Sequence, residues 1–85
     1  STENNLQNQF TIFPNPTCNQ INIVFQQLPN NTQTELFDSK GNLVVHQIIK
    51  SKTIQLDLSQ LSKGLYYLIV KSENKIIGTK KVSKE

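Results

Sequence analysis

The 85-residue chain has no alanine, methionine, tryptophan or arginine, and only one cysteine and one histidine. Each absence narrows the reading. Most of the usual helix-building surface residues are missing while asparagine and glutamine abound, so essentially no helix is expected. Without arginine the chain has no planar fork for phosphate or guanine, which makes nucleic acid the weakest of its potential partners. A lone Cys18 forbids an internal disulfide. It is expected to be a small apolar filler near a strand, the other reading being a reactive thiol, for which no activating neighbour stands nearby in sequence. No apolar run approaches the length of a membrane-spanning helix. The polar opening also lacks the cationic start and apolar stretch of a secretory signal, so a signal used by an exported parent lies elsewhere.

What remains is a chain for strands. Hydrophobic residues make up 35% of it, gathered in short runs of Ile, Leu, Val and Phe. Its length fits one domain that buries roughly 60% of the surface its unfolded chain exposes, with a stability of about 4–13 kcal/mol. The net charge of +3 is unevenly placed. Up to position 70, Lys40, Lys50, Lys52 and Lys63 cancel Glu3, Glu35, Asp38 and Asp57. The excess therefore lies in Lys71, Lys75, Lys80, Lys81 and Lys84 against Glu73 and Glu85. Such an end suits an acidic protein or membrane surface, or simply a strand that lysine keeps soluble.

The opening "STENNLQNQ" (1–9) reads as a polar linker from a longer parent. After it come seven short runs separated by turn chemistry. "FTIF" (10–13) is stopped by Pro14, Asn15 and Pro16. "INIVF" (21–25) places Ile21, Ile23 and Phe25 on one face. "TELF" (34–37) enters a type I turn over Asp38, Ser39, Lys40 and Gly41 and returns as "NLVVHQII" (42–49). "TIQLDL" (53–58) alternates Ile54, Leu56 and Leu58 with polar residues. A crossing follows in which Leu61 turns inward. "LYYLIV" (65–70) is apolar on both faces, so it is either central or covered by a partner. "KIIGTKKV" (75–82) closes the series. Seven strands at this spacing predict an all-β fold, a small antiparallel β-sandwich of immunoglobulin-like shape, with a β-barrel as the second arrangement.

No constellation of catalytic or metal-ligating residues emerges, and no cofactor is expected. His46 lies mid-strand without a cysteine or carboxylate at ligand spacing, which favours a strand-surface or half-buried role. Asp38 reads as a turn residue and Asp57 as an outward strand residue. Gly41, Gly64 and Gly78 are too scattered to cradle a phosphate. Asn30, Asn31 and Thr32 match a glycosylation tripeptide, a pattern common by chance in an Asn-rich chain. Tyr66 and Tyr67, adjacent on one strand, point to opposite faces and cannot form one flat sugar-stacking platform.

The succession "FTIFPNPTCNQINI", "TELFDSKGNLV", "IQLDLSQLSKGLYYLIV" and "TKKVSK" resembles the C-terminal sorting domain of proteins exported by the type IX secretion system of Bacteroidota, over about residues 10–85. The family's aromatic-Pro-Asn-Pro entry is matched by Phe13, Pro14, Asn15 and Pro16. Its aromatic-Asp hairpin with a Gly turn is matched by Phe37, Asp38 and Gly41. Its Leu-x-x-Gly-apolar-Tyr segment is matched by Leu61, Gly64, Leu65 and Tyr66, and its closing lysine strand by Lys80, Lys81 and Val82. Thr17 and Cys18 stand where small residues are usual, and the ending Ser83, Lys84 and Glu85 replaces an apolar or basic finish.

The resemblance implies an address label rather than an enzyme. A covalently attached cargo on its amino-terminal side would reach the periplasm by its own signal. The folded label would be recognised by the outer-membrane translocon and its shuttle receptor, then removed by a sortase-like peptidase in or just before residues 1–9. The cargo would end at the cell surface or be secreted. Lys80, Lys81, Val82 and Lys84 are the expected recognition residues, and Gly64 and Tyr66 the structural keystones. The competing class is a carbohydrate-binding or adhesive sandwich of a surface protein, which would show an aromatic platform and tolerate relocation within its parent.

Overall fold

The computed structural model describes residues 10–14 and 16–85. The proposed linker at 1–9 and Asn15 lie outside the described residues. Seven strands follow in order: β1 (Phe10–Phe13), β2 (Gln20–Phe25), β3 (Thr32–Asp38), β4 (Leu43–Ile48), β5 (Thr53–Asp57), β6 (Gly64–Ser72) and β7 (Lys75–Lys84). They form a three-stranded sheet in the order β1-β2-β5 and a four-stranded sheet in the order β4-β3-β6-β7. Every strand pairing is antiparallel. Two separate sheets make a sandwich rather than a barrel. Sequential strands divide between the sheets in the immunoglobulin-like manner, with β4 added beside β3.

The alternation read from the sequence sets the core. Ile21, Ile23 and Phe25 face inward from β2, Leu56 from β5, Leu36 from β3, and Tyr66, Leu68 and Val70 from β6. Each such side chain contributes about 1.5–3 kcal/mol by leaving water. The buried hydroxyls of β3 find carbonyl partners: Thr32 donates to Pro29, three residues back, at 2.6 Å and Thr34 across the sheet to Ile69 at 3.3 Å.

Turn chemistry fixes the hairpins. The Gly41 amide donates to the Asp38 carbonyl at 3.0 Å, with Gly41 at φ +91° and a register shift beside Phe37, as the Asp-Ser-Lys-Gly signal requires. Glu73 and Asn74, both at positive φ, join β6 to β7. The Asn31 side-chain amide donates to the Glu73 carboxylate at 3.0 Å and steadies that turn. Strand β6 lies between β3 and β7, so the doubly apolar run is central in its sheet. The closing strand continues to Lys84, two residues beyond the apolar pattern, because Thr17 pairs with its end. The Thr17 amide donates to Ser83 at 2.8 Å, and the Glu85 amide donates to Thr17 at 2.7 Å. Cys18 departs from expectation: it is exposed, outside the core, since the inward position in this segment is taken by Thr17, only 3% exposed.

Candidate functional site

Motif residues far apart in sequence meet at one end of the four-stranded sheet. Asp38 on β3 stands opposite Tyr66 on β6, and Tyr66 stands opposite Val82 on β7. One step further along, Gly64 faces Lys84, whose other side bridges Thr17 just after Pro16. Asp38, Gly64 and Tyr66 share an open cleft of about 290 Å³ with Ser39, Lys40, Asn42, Ser62, Lys63 and Leu65. Gly41 belongs to the same turn as Asp38. Pro14 and Pro16 are exposed on the connection that leads from β1 to Thr17.

Each part of this end has a local cause. Tyr66 is 5% exposed, and its hydroxyl donates to the Ser62 carbonyl at 2.6 Å. A tyrosine at the start of this strand that bonds back to the chain just upstream is the tyrosine corner of immunoglobulin-like sandwiches. Leu61 packs against the core, and Gly64 takes φ +148°, where a side chain is strained. The spacing Leu-x-x-Gly-x-Tyr thus encodes an anchor, a hinge and a clasp. Asp38 accepts from the Lys40 and Asn42 amides, each at 2.9 Å, and from the Asn42 side chain at 3.2 Å. The Asn42 amide chiefly, opposed by some loss of water and helped by the Asn42 side chain, the Lys40 amide and the Lys40 charge, holds its carboxyl below the ordinary value. Asp57 is lowered likewise by the Ser59 amide and hydroxyl, against a smaller desolvation effect.

The four expected recognition residues fall into different environments. Val82 is fully buried, so a receptor cannot touch its side chain in the folded domain. Lys80 is half-buried with its ammonium 5.8 Å from the Phe10 ring centroid. Lys84 is half-buried opposite Gly64. Lys81 is exposed, in the same row as Phe37 and Tyr67.

His46 is exposed and shares a 2.7 Å hydrogen bond with the Gln33 side chain, away from this end. Among the described residues no group of three or more His, Cys, Asp or Glu side chains gathers to hold a metal ion. Among the same residues no helix is long and apolar enough to cross a membrane. What this end offers is hydrogen-bond donors and lysine charge around a clasped strand. Sequence reasoning missed the lock between the sheets, in which Phe10 of β1 lies against Gly78 of β7. An aromatic at the start of one strand and a glycine inside another were its only signal.

Fold and site together describe a small two-sheet sandwich that presents a closing strand. Its named motifs shape one end around that strand. The family model for the secretion system C-terminal sorting domain matches residues 11–85, and the chain belongs to that family. It is a sorting signal for type IX secretion, which implies interaction with the secretion machinery and export to the cell surface or extracellular space. Among curated proteins none matches the chain.

Proposed function

We propose that this domain is read, folded, by the outer-membrane type IX translocon and its shuttle receptor after its cargo has entered the periplasm on an amino-terminal signal of its own. A sortase-like peptidase then cuts in or just before residues 1–9, and the cargo is released or joined to surface lipopolysaccharide. The observation that supports this reading best is the place of β7. It is an edge strand of the larger sheet, it carries Lys75, Lys80, Lys81 and Lys84, and the family's motifs converge beside it. Lysines of this kind steer association with an acidic partner. Gly64 and Tyr66 hold the end in shape, and Lys81 is the recognition residue that a receptor can reach.

The test is the mass of an exported cargo carrying residues 1–85, from hosts with and without the peptidase. A new carboxyl terminus in or just before 1–9, seen only with the peptidase present, is the expected result. Intact fusion outside both hosts would refute the cleavage step. Charge reversal by Lys81→Glu should lower export severalfold while leaving the melting temperature within a few degrees, and unchanged export would remove Lys81 from recognition.

A further inference from the structure

The sandwich leaves β1 and β5 at the edges of one sheet and β4 and β7 at the edges of the other. Edge strands carry unpaired ladder groups, and proteins ordinarily blunt them with charge, proline or brevity. β1 is four residues long and runs into Pro14, and β5 has Lys52 just before it and Asp57 at its end. β7 carries Lys75, Lys80, Lys81 and Lys84 and is bridged at its end by Thr17. β4 is different: its sequence, LVVHQI, has no charged residue, no proline and no glycine. The register shift beside Phe37 falls at the Leu43 end, and from Val45 to Ile48 the pairing with β3 is unbroken. His46, Gln47 and Ile48 are all exposed, Ile48 at 60%. The ladder fixes which backbone groups are free. The Ile49 amide donates to the Thr32 carbonyl at 3.0 Å. In an antiparallel pair, residues that exchange hydrogen bonds alternate with residues that do not, so Gln47 and Val45 turn their amides and carbonyls toward β3 while His46 and Ile48 turn theirs away. Among the described residues no strand lies on that side.

We propose that β4 pairs antiparallel with β4 of a second copy of this chain, about a twofold axis through Gln47. In that register His46 of each copy stands opposite Ile48 of the other, and each such pair exchanges two hydrogen bonds, so every outward amide and carbonyl of these residues is satisfied. Gln47 meets its own counterpart, and Val45 meets Ile49. A second copy is the occupant because the strand complements itself: a twofold pair needs donors and acceptors in matching places and no charge set against its like, and β4 supplies both. The same pairing at β7 would bring the lysines of two copies together. Joining at β4 makes one sheet of eight strands, four from each copy, with the lysine-bearing β7 strands at its two far edges, which keeps the +3 charges of the copies apart. Phe10, where the chain enters the sandwich, lies against Gly78 of β7, so segments that precede it leave from opposite ends of the pair and do not cross the seam. Five residues per copy make a small contact beside the roughly 20–30 a side of a standard interface, so the association is weak, with half-dimerisation on the order of 10–100 µM. Dimerisation of this kind is independent of the sorting function and presents two labels in one assembly.

The experiment is analytical ultracentrifugation of a purified fusion that carries a monomeric reporter ahead of residues 1–85, from about 1 µM to about 1 mM. A monomer–dimer equilibrium is expected. Ile48→Pro removes one outward donor and no bond to β3, so it should weaken dimerisation about tenfold or more while circular dichroism is kept and the melting temperature stays within a few degrees of the parent. Gln47→Lys and Gln47→Glu set like charges across the axis and should each be monomeric, and an equimolar mixture of the two should dimerise again, a rescue that a damaged fold could not give. In a Cys18→Ser background, Gln47→Cys brings two thiols within disulfide reach and should oxidise to a covalent dimer about tenfold or more faster than His46→Cys or Gln55→Cys. A monomer at every concentration, a dimer that the Ile48 and Gln47 variants leave unchanged, a mixture of the two charged variants that stays monomeric, or equal disulfide formation at all three sites would overturn the proposal.

Discussion

Adding one methyl group at Gly78 should unsettle the contact that joins the two sheets. A Cβ built there would stand 2.7 Å from Phe10 Cζ and nearer still to Cε1, closer than carbon atoms approach without something moving. The ring has little room to yield: Phe10 is 2% exposed and tilted against Phe25 with centroids 5.6 Å apart. Overpacking of this kind costs about 1–3 kcal/mol. Alanine returns up to about 1 kcal/mol by restricting the unfolded chain. At the middle of these ranges the net loss expected for Gly78→Ala is about 1–2 kcal/mol, and at about 4–8 °C per kcal/mol for a domain of this size the melting temperature falls by roughly 5–15 °C. Urea and thermal unfolding of the single variants and the pair test the cause. Phe10→Leu alone loses apolar area, but in that background Gly78→Ala should be nearly neutral, a coupling of about 1 kcal/mol or more. Strict additivity, or a Gly78→Ala protein as stable as the parent, would refute the clash.

Three further outcomes follow from the clasped end. Tyr66→Phe keeps the buried ring but strands the Ser62 carbonyl, so stability should fall by about 1 kcal/mol, read from urea midpoints at unchanged slope. Gly64→Ala meets no neighbour within 4 Å yet keeps φ +148°, so its expected cost of roughly 1–3 kcal/mol is conformational; a neutral result in thermal melts would contradict that assignment. Asp38 has its carboxyl lowered on folding, so its contribution is fully present above the ordinary carboxylate range and is lost as pH falls through the lowered folded value. Stability measured from pH 6 down to pH 2 should decline, and Asp38→Ala should flatten part of that decline.

Much of the fold was legible because the strands obey one simple rule. Ile21, Ile23 and Phe25, like Leu56 and Leu58, alternate with polar residues, and the buried face follows directly. The Asp38 to Gly41 turn was legible for a local reason, since its hydrogen bonds close within five residues. Long-range pairing was not. Nothing in "PTC" says that Thr17 will add to the end of β7 and turn Cys18 outward, because that depends on where the closing strand passes. Val82 sits in a lysine-rich stretch that looks wholly exposed, yet strand alternation from Lys81 carries it into the core. The two apolar faces of 65–70 were legible, but not the extension of the outer one beyond that strand: Leu43, Phe37, Tyr67 and Leu65 belong to three strands, and only their register gathers them.

The fate of Val82 also decides how the central claim is best tested. Removing the last six residues would strip a core side chain and half of a strand, confounding recognition with folding. The decisive measurement is export of a folded reporter that carries an amino-terminal secretion signal and the intact 85 residues at its carboxyl end, in Bacteroidota cells with the type IX translocon present or deleted. Reporter at the surface or in the medium only when the translocon is present is the predicted result. Reporter retained in the periplasm of both strains, or released equally by both, would contradict it.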